Sequence, residues 1–285
     1  GYSLTEDDVL ISKYRKIKFK GKERLQIILD KTPFYSESGG QIGDTGFLIS
    51  GKDKIGIIDT VKENNSIIHL SNSKITDPLA KFHAVVDIEK RQMTANNHTA
   101  THLIHFALRS VLGKHVEQKG SLVTPDRLRF DFSHFTRLTK EELRKVEEIA
   151  NAMVRESSNI IVSEGISMKE AREMGAMALF GEKYGETVRV VRFGESIELC
   201  GGTHVHNTGT IGIIKIVSEG GIAAGIRRIV ALTAAKAEEY INGKIESADE
   251  VAALLKSTGN ILESVEKLMA ENANLKKSID KFEAQ

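Results

Sequence analysis

The sequence predicts an α+β protein of three parts: an N-terminal small β-barrel at residues 1–90, a mixed α/β domain at 91–245 and a C-terminal helical arm at 246–285. Short β-type runs separated by turns fill the first part. Strands and amphipathic helices follow one another in mixed order in the second part, and a heptad pattern fills the third. The chain has 285 residues, of which 40% are hydrophobic and 28% charged, so it is long enough to bury a sizeable core.

Five short strands are predicted in the first part. They cover residues 16–20, 24–30, 54–61, 66–70 and 82–88. The dipeptides Gly21-Lys22 and Asn64-Asn65 lie at hairpin turns, and regular spacing of this kind favours a small closed barrel. Between the second and third strands lies a loop that contains Gly39, Gly40, Gly43 and Gly46. These glycines indicate either turns with positive φ or a backbone that approaches a ligand closely.

The second part opens with a helix predicted over residues 98–112, which ends at Gly113. A hairpin over 116–132 follows, and a capping box that begins at Thr139 opens a helix through Val154. Further strands are predicted at 160–162, 188–193, 197–199, 211–217 and 226–230, with a helix at 167–174 and a flexible glycine segment at 220–225. This order predicts an α+β sandwich rather than a doubly wound sheet.

The third part has apolar residues at alternating spacings of three and four, as in a coiled coil. One seam position is taken by Val251, Thr258, Val265, Asn272 and Ile279, and the other by Leu254, Ile261, Leu268, Leu275 and Phe282. Asn260 is expected to cap a second helix there. Because a lone two-helix arm cannot bury this seam, we expect a partner helix, and a homodimer through the arm is the candidate.

Composition limits the possible partners. The net charge is +1, so a global basic field for nucleic acid is absent and any such contact must come from local patches. The absence of Trp and the 6% aromatic content argue against a stacking platform for single strands. No transmembrane run or signal peptide is expected, and a single cysteine suits a reducing, cytoplasmic location. Since the chain begins with Gly1, we expect it to be a piece of something longer.

Two short motifs predict a metal site. His98 and His102 are four residues apart on the predicted helix, so both imidazoles lie on one face. Almost a hundred residues later come Cys200 and His204, separated by a Gly-Gly pair that lets the backbone turn between them. Three histidines and a thiolate form a good tetrahedral set for zinc. The spacing therefore predicts one Zn²⁺ per chain.

A catalytic zinc has three alternatives. A metalloprotease helix needs His-Glu-x-x-His, and Thr99 stands where the glutamate would be. A cysteine hydrolase would use Cys200 as the nucleophile with a histidine base. A purely structural zinc is the most serious alternative, because four protein ligands leave no open position on the metal. Against it stand the 97 residues between the two ligand pairs and the polar residues around them.

Six segments of the chain carry a family resemblance. They are residues 33–44, 98–105, 118–123, 128–134, 200–204 and 220–228. Together they resemble the editing domain of alanyl-tRNA synthetase, in the family's order and over about residues 8 to 285. The free-standing AlaX editing proteins share the barrel and the catalytic domain, whereas the heptad arm is more similar to the start of the synthetase's C-terminal region. Nothing in the sequence resembles the class II aminoacylation domain, so we do not expect this chain to charge tRNA.

The resemblance implies an activity and a set of site residues. The family hydrolyses Ser-tRNA(Ala) and Gly-tRNA(Ala), because an alanine pocket cannot reject near-isosteres strongly enough. By this resemblance His98, His102, Cys200 and His204 bind zinc. Gln118, Thr101 and Cys200 belong to the catalytic centre, and Arg227, Arg228, Gly39 and Gly40 meet the tRNA(Ala) acceptor end.

Some of these roles have plain structural alternatives. From the residues alone, Gln118 is either a solvent-facing strand residue or a catalytic residue whose amide hydrogen-bonds a serine hydroxyl or the attacking water. The resemblance favours the catalytic role. Thr101 contacts a substrate hydroxyl or bonds its own helix carbonyl. Only one of Arg227 and Arg228 is expected to meet the tRNA, because adjacent strand residues point to opposite faces.

The leading function is hydrolytic editing within a synthetase. A free-standing AlaX-type trans-editing deacylase is the second possibility. A non-catalytic, zinc-stabilised module for tRNA binding and dimerisation is the third.

Overall fold

The structure is a computed structural model that describes residues 2, 4–19, 21–178, 185–257 and 259–284. Within these residues the chain forms two compact units, 1–236 and 237–285. The division into 1–90, 91–245 and 246–285 stays a prediction. Thr258, one of the predicted seam residues, lies outside the described residues.

Six strands of the first unit close into a barrel, as the sequence predicts. They are β1 (Glu6–Phe19), β2 (Lys22–Leu29), β3 (Gly46–Ser50), β4 (Asp53–Glu63), β5 (Ser66–Ser71) and β6 (Lys81–Val86), in the order β1-β2-β5-β4-β3-β6. Asn64 and Asn65 have positive φ, as expected for the turn between β4 and β5. The pattern did not predict β3, which has only five residues and follows directly on the glycine loop. Apolar side chains such as Ile27, Leu48 and Phe82 fill the barrel.

The histidine helix, α1 (Ile88–Leu112), begins ten residues before the predicted start. Asp87 is its N-cap and accepts a hydrogen bond from the backbone N–H of Lys90. Apolar periodicity missed these first turns because several of the residues they bury are polar, among them Arg91 and Asn97. The helix ends before Gly113, whose φ is 114°, as predicted.

Up to Thr233, the remaining elements that the structure describes in the first unit form two antiparallel sheets, two α-helices and a short 3-10 helix at Thr208–Ile211. In chain order the strands and α-helices are β7 (Gln118–Val123), β8 (Leu128–Ser133), α2 (Lys140–Arg155), β9 (Ile161–Ser167), α3 (Met168–Glu173), β10 (Thr187–Phe193), β11 (Ser196–Leu199), β12 (Ile214–Ala223) and β13 (Ile226–Thr233). The sheets have the orders β12-β13-β8-β7 and β11-β10-β9. Antiparallel pairing throughout the described strands agrees with an α+β fold rather than a doubly wound one.

Helices α1 and α2 share one hydrophobic core with the four-stranded sheet. Leu103, Ile104 and Val146 from the helices meet Phe130 and Ile229 from the sheet. The capping box at Thr139 is present, as predicted. The prediction of a flexible segment at 220–225 is wrong for its first residues, because Gly220 and Gly221 pair with β13 as part of β12.

The second unit is built mainly from the later turns of α4 (Ala234–Leu254) and from α5 (Ile261–Glu283). Asn260 caps α5, and its Oδ1 accepts a hydrogen bond from the backbone N–H of Leu262 at 3.0 Å. Seam residues of α5 such as Leu275 are exposed, and the coiled-coil prediction is not confirmed. Among the described helices, none combines the length and the apolar character that a membrane crossing needs.

Candidate metal centre

The four predicted ligands converge on one point of the first unit. His98, His102, Cys200 and His204 each offer a ligand atom, and these atoms all lie within 4.8 Å of one another. Cys200 Sγ is 3.4 Å from His98 Nε2 and 3.2 Å from His204 Nε2. A tetrahedral zinc with bonds of about 2.0–2.3 Å has ligand-to-ligand edges of roughly 3.3–3.6 Å. The cluster therefore has the donor types and close to the size of a zinc site.

The ring of His98 is held by a glutamine from the barrel loop. Its Nδ1 lies 2.6 Å from Gln41 Oε1, and this oxygen also accepts a hydrogen bond from the backbone N–H of Thr203 at 2.9 Å. Because an amide oxygen can only accept, the His98 proton is on Nδ1 and Nε2 is free to bind a metal. Gln41 is 1% exposed.

The ring of His102 is held by a buried glutamate. Glu198 lies on β11, two residues before Cys200, and its Oε2 is 2.8 Å from His102 Nδ1. Its other oxygen, Oε1, is 3.0 Å from Nδ1 of His105, one turn further along α1. A carboxylate beside Nδ1 favours the proton there and leaves Nε2 as the ligand atom of His102.

The ring of His204 lies against a threonine of α1. Its Nδ1 is 3.2 Å from Thr99 Oγ1, which also accepts a hydrogen bond from the backbone N–H of Val205 at 3.2 Å. Each of the three imidazoles thus has a side-chain partner at Nδ1. Neighbours of this kind fix the tautomer and the orientation of metal-binding histidines.

The loop that carries Cys200 follows β11 directly, as the sequence predicts. The guanidinium of Arg189 on β10 donates to the carbonyl oxygens of Cys200 and Gly202 at 2.8 and 3.1 Å. Gly202 is required for a steric reason, since a Cβ there would overlap the ring of His98. Its backbone N–H points at Cys200 Sγ at 3.3 Å.

Electrostatics in the cluster favour a thiolate. Burial raises the pKa of the Cys200 thiol, but attraction to the surrounding imidazoles, led by His98, outweighs burial and holds this pKa well below its ordinary value. Burial lowers the pKa of His204 to about 3, so this ring is a neutral ligand. Burial also disfavours the charged forms of His102 and Glu198, yet their attraction raises the pKa of His102 to about 10 and holds that of Glu198 far below its usual range.

The two other predicted catalytic residues, Thr101 and Gln118, are not among the four clustered ligands. Thr101 is buried, and its hydroxyl donates to the carbonyl oxygen of Asn97 at 2.8 Å, so the structure gives it a bond within its own helix. Gln118 begins β7, and its Nε2 donates to Ser121 Oγ at 3.4 Å. It pairs in register with Phe132, whose side chain lies in the core under α1. Gln118 is therefore on the α1 side of the sheet.

The glycine loop approaches the chain's own strands. Gly39 and Gly40 have positive φ, in agreement with turns, and a Cβ at Gly40 would overlap Ser121 of β7. The backbone of Gly40 accepts a hydrogen bond from Val123 N–H at 2.7 Å. A role of Gly39 and Gly40 in tRNA binding stays a prediction.

Both predicted tRNA-binding arginines contact carboxylates of this chain. Arg227 Nε donates to Glu219 Oε1, and both side chains are largely buried. Arg228 makes two parallel bonds with Asp131, at 2.6 and 2.8 Å. As predicted, the two arginines lie on opposite faces of β13, because Arg227 pairs with Phe132 and Arg228 with Asp131.

Gln41, Glu198 and Thr99 are functional candidates that the sequence did not single out. Each lies inside or beside a motif quoted for the resemblance, but a lone polar residue carries no periodic signal. In the sequence, Glu198 between Ile197 and Leu199 is indistinguishable from an ordinary polar position of a strand in which apolar and polar residues alternate. Their roles appear only when distant segments pack together.

Comparison with known proteins places this chain among the aminoacyl-tRNA synthetases. The family model described as "Threonyl and Alanyl tRNA synthetase second additional domain" matches residues 188–230, which include the Cys200–His204 loop. The model described as "tRNA synthetases class II (A)" matches residues 6–89, which span the barrel. Residues 33–44, one of the segments that carry the family resemblance, lie within this second match. A match to a class II synthetase model was not expected, because the sequence showed no resemblance to the aminoacylation domain.

The particular family follows from the curated relatives. The alanine–tRNA ligase of Bacteroides fragilis is 52% identical over 99% of this chain, that of Cytophaga hutchinsonii 49% over 100%, and that of Porphyromonas gingivalis 48% over 98%. This chain belongs to the alanyl-tRNA synthetase family, as its motifs indicated. It spans about a third of the length of these relatives, with shares of 32%, 33% and 32%.

Proposed function

We propose that this chain is the editing segment of an alanine–tRNA ligase and hydrolyses the ester of Ser-tRNA(Ala) and Gly-tRNA(Ala). The observation that carries the proposal is the convergence of His98, His102, Cys200 and His204 in a chain of this family. A second, hydrolytic site is the chemical answer to a pocket that separates alanine poorly from serine and glycine.

The donor set fits one Zn²⁺. His204 presents a neutral nitrogen, and the thiol of Cys200 is poised to ionise. Because Glu198 raises the pKa of His102, zinc would have to displace a proton from that ring in order to bind its Nε2. Glu198 adds a second negative charge beside the ligands. When bound, zinc would supply Lewis-acid polarisation or a coordination position for the aminoacyl group.

The chain's own polar residues would then position the reactants. Gln118 is the first candidate, because its amide both donates and accepts and lies on the α1 side of the sheet. We assign it to the serine hydroxyl or the attacking water. Thr101 is a weaker candidate, since a substrate contact would have to replace or share its bond to Asn97.

The proposed macromolecular partner is the acceptor end of tRNA(Ala). Arg227 lies on the same face as Phe132 and therefore on the side of Gln118. A phosphate would have to share this guanidinium with Glu219. Arg228 lies on the other face, so we expect Arg227→Ala to raise the deacylation KM for tRNA more than Arg228→Ala does.

The exposed seam of α5 supports a homodimer through the arm. Analytical ultracentrifugation of the chain and of a Leu268→Glu variant tests this point: a dimer that the variant loses supports it. A chain that stays monomeric at high concentration contradicts it. The proposed location is the cytoplasm, where the single cysteine would stay reduced.

Deacylation of purified Ser-tRNA(Ala), with and without a chelator, tests the activity. We expect hydrolysis that falls on chelation, returns with added zinc and is lost in Cys200→Ala together with bound zinc. Hydrolysis by a zinc-free Cys200→Ala variant would refute a role for the metal. Ala-tRNA(Ala) is the matched control and should be hydrolysed more slowly.

One observation favours a second function. Four protein ligands leave no open position on a tetrahedral zinc, which is typical of structural sites. In that case the chain would be a zinc-stabilised tRNA-binding module, and it would bind tRNA(Ala) without deacylating it.

A further inference from the structure

The loop over residues 32–45 is fixed at several points by the rest of the first unit. The backbone on either side of Gln41 pairs with the end of β7, through Gly40 O to Val123 N at 2.7 Å and Ile42 N to Val123 O at 3.2 Å. Gly43 lies so close to the backbone of Thr60 on β4 that a Cβ would overlap it. The loop is therefore held in place by its backbone contacts with β7 and β4.

The end of the same loop is bound to the metal-site helix. Asp44 forms a buried ion pair with Arg91 of α1, two turns before His98. The Arg91 guanidinium also donates to the carbonyl oxygen of Pro33 at 2.7 Å, and Tyr35 N–H donates to Asp44 at 2.5 Å. Both ends of the loop are therefore held against the helix that carries two of the candidate ligands.

Gln41 is the one side chain of this loop with a direct bond to a candidate ligand in the described residues. Its Oε1 accepts from His98 Nδ1 and Thr203 N–H, and its Nε2 donates to Thr203 Oγ1 at 2.8 Å. Both polar atoms are thus used inside a buried site, where an unsatisfied amide would be costly. One amide joins the helix that carries His98 to the loop that carries Cys200.

We propose that Gln41 is a positioning residue of the metal centre, by which the barrel loop fixes the Nδ1–H tautomer of His98 and turns its Nε2 toward Cys200. The inference rests on the metal site proposed above. Partners of this kind are most often carboxylates or backbone carbonyls. The partners at the Nδ1 atoms of the three ligand imidazoles are Gln41, Glu198 and Thr99. Of these three, Glu198 is the charged one.

Three variants separate positioning from packing. Gln41→Ala removes both bonds of the amide, while Gln41→Glu keeps an acceptor for His98 and Thr203 N–H. Thr203→Val removes only the hydroxyl that Gln41 Nε2 binds. Gln26→Ala is the matched control, because Gln26 is also a barrel glutamine of low exposure but contacts Arg15 instead of the metal site.

Zinc affinity of the whole chain, measured by competition with a chromophoric chelator, is the first readout. We expect Gln41→Ala to weaken zinc binding by about 10- to 100-fold. Gln41→Glu should recover most of that loss, and Gln26→Ala should stay near wild type. Thr203→Val should weaken zinc binding less than Gln41→Ala does, because Gln41 Oε1 keeps its bonds to His98 and to Thr203 N–H. The melting temperature of the metal-free chain shows whether each variant is folded.

The His98 tautomer is the second readout, from long-range ¹H–¹⁵N spectra of the zinc-loaded protein. We expect an Nδ1–H, Nε2-bound pattern in wild type and Gln41→Glu, and a broadened or altered pattern in Gln41→Ala. If folded Gln41→Ala binds zinc as tightly as wild type with the same tautomer, the positioning role is wrong and the metal site stands. If wild type itself binds no zinc, the metal site is wrong as well.

Discussion

Gly202→Ala is a sharp test of the site because the perturbation is one methyl group. The new Cβ would overlap the ring of His98 and lie 3.0 Å from Gln41 Oε1. His98 cannot move away without losing its bond to Gln41 or its place beside Cys200. The φ of Gly202 is not in the left-handed region, so the steric overlap is the expected source of the cost.

The size of the effect follows from overpacking. Extra methyl groups in well-packed interiors cost about 1–3 kcal/mol. If that cost falls on the zinc-bound geometry, it weakens zinc binding by roughly 5- to 150-fold, since each 1.4 kcal/mol is a factor of ten. Chelator competition measures this directly.

The neighbouring glycine is a built-in control. Among the described residues, a Cβ at Gly201 would have only Tyr2 Oη within 4 Å, at 3.6 Å, which is ordinary contact. We therefore expect Gly201→Ala to bind zinc almost as wild type does. Equal losses in the two variants, or no loss in folded Gly202→Ala, would refute the packing described for His98.

The remaining predictions concern buried charge around the site. Asp44→Ala should lower the free energy of unfolding in urea by about 3–5 kcal/mol, because it leaves Arg91 buried without its carboxylate. Asp7→Asn, which removes a carboxylate from an exposed ion pair, should lower it by less than about 1 kcal/mol. Equal losses in the two variants would contradict this prediction. His69 is buried in the barrel and its pKa is lowered to about 4, so below pH 6.5 the unfolded chain binds a proton that the folded chain does not. Stability should fall between about pH 6.5 and pH 4 by about 3 kcal/mol, and unfolding curves of His69→Gln should lack that part of the loss. Glu198→Gln should weaken zinc binding by about 10- to 100-fold, and an unchanged Kd would show that its charge is not needed.

The features of the site that depend on short-range sequence spacing were predictable from the sequence. Spacing on one helix placed His98 and His102 on a common face, and the strand before Cys200 delivers it as expected. The C-terminus of α1 was visible because Gly113 has the conformational freedom that a helix end requires. Such features depend on neighbours within a few residues.

The parts that depend on long-range packing were not predictable. Helix α1 begins at Ile88, and its first turns bury polar groups such as Arg91, so hydrophobic periodicity could not reveal them. Arg227 looked like a free phosphate ligand because its partner Glu219 comes from the paired strand. The contact of Gln41 with His98 joins residues 57 positions apart, which no local pattern encodes.

Zinc X-ray absorption on the metal-loaded chain would identify the donor atoms themselves. We expect one zinc per chain with three nitrogen neighbours at about 2.0–2.1 Å and one sulfur at about 2.3 Å, and loss of the sulfur shell in Cys200→Ala. A spectrum without sulfur in wild type, or the same sulfur shell in the Cys200→Ala variant, would contradict this expectation.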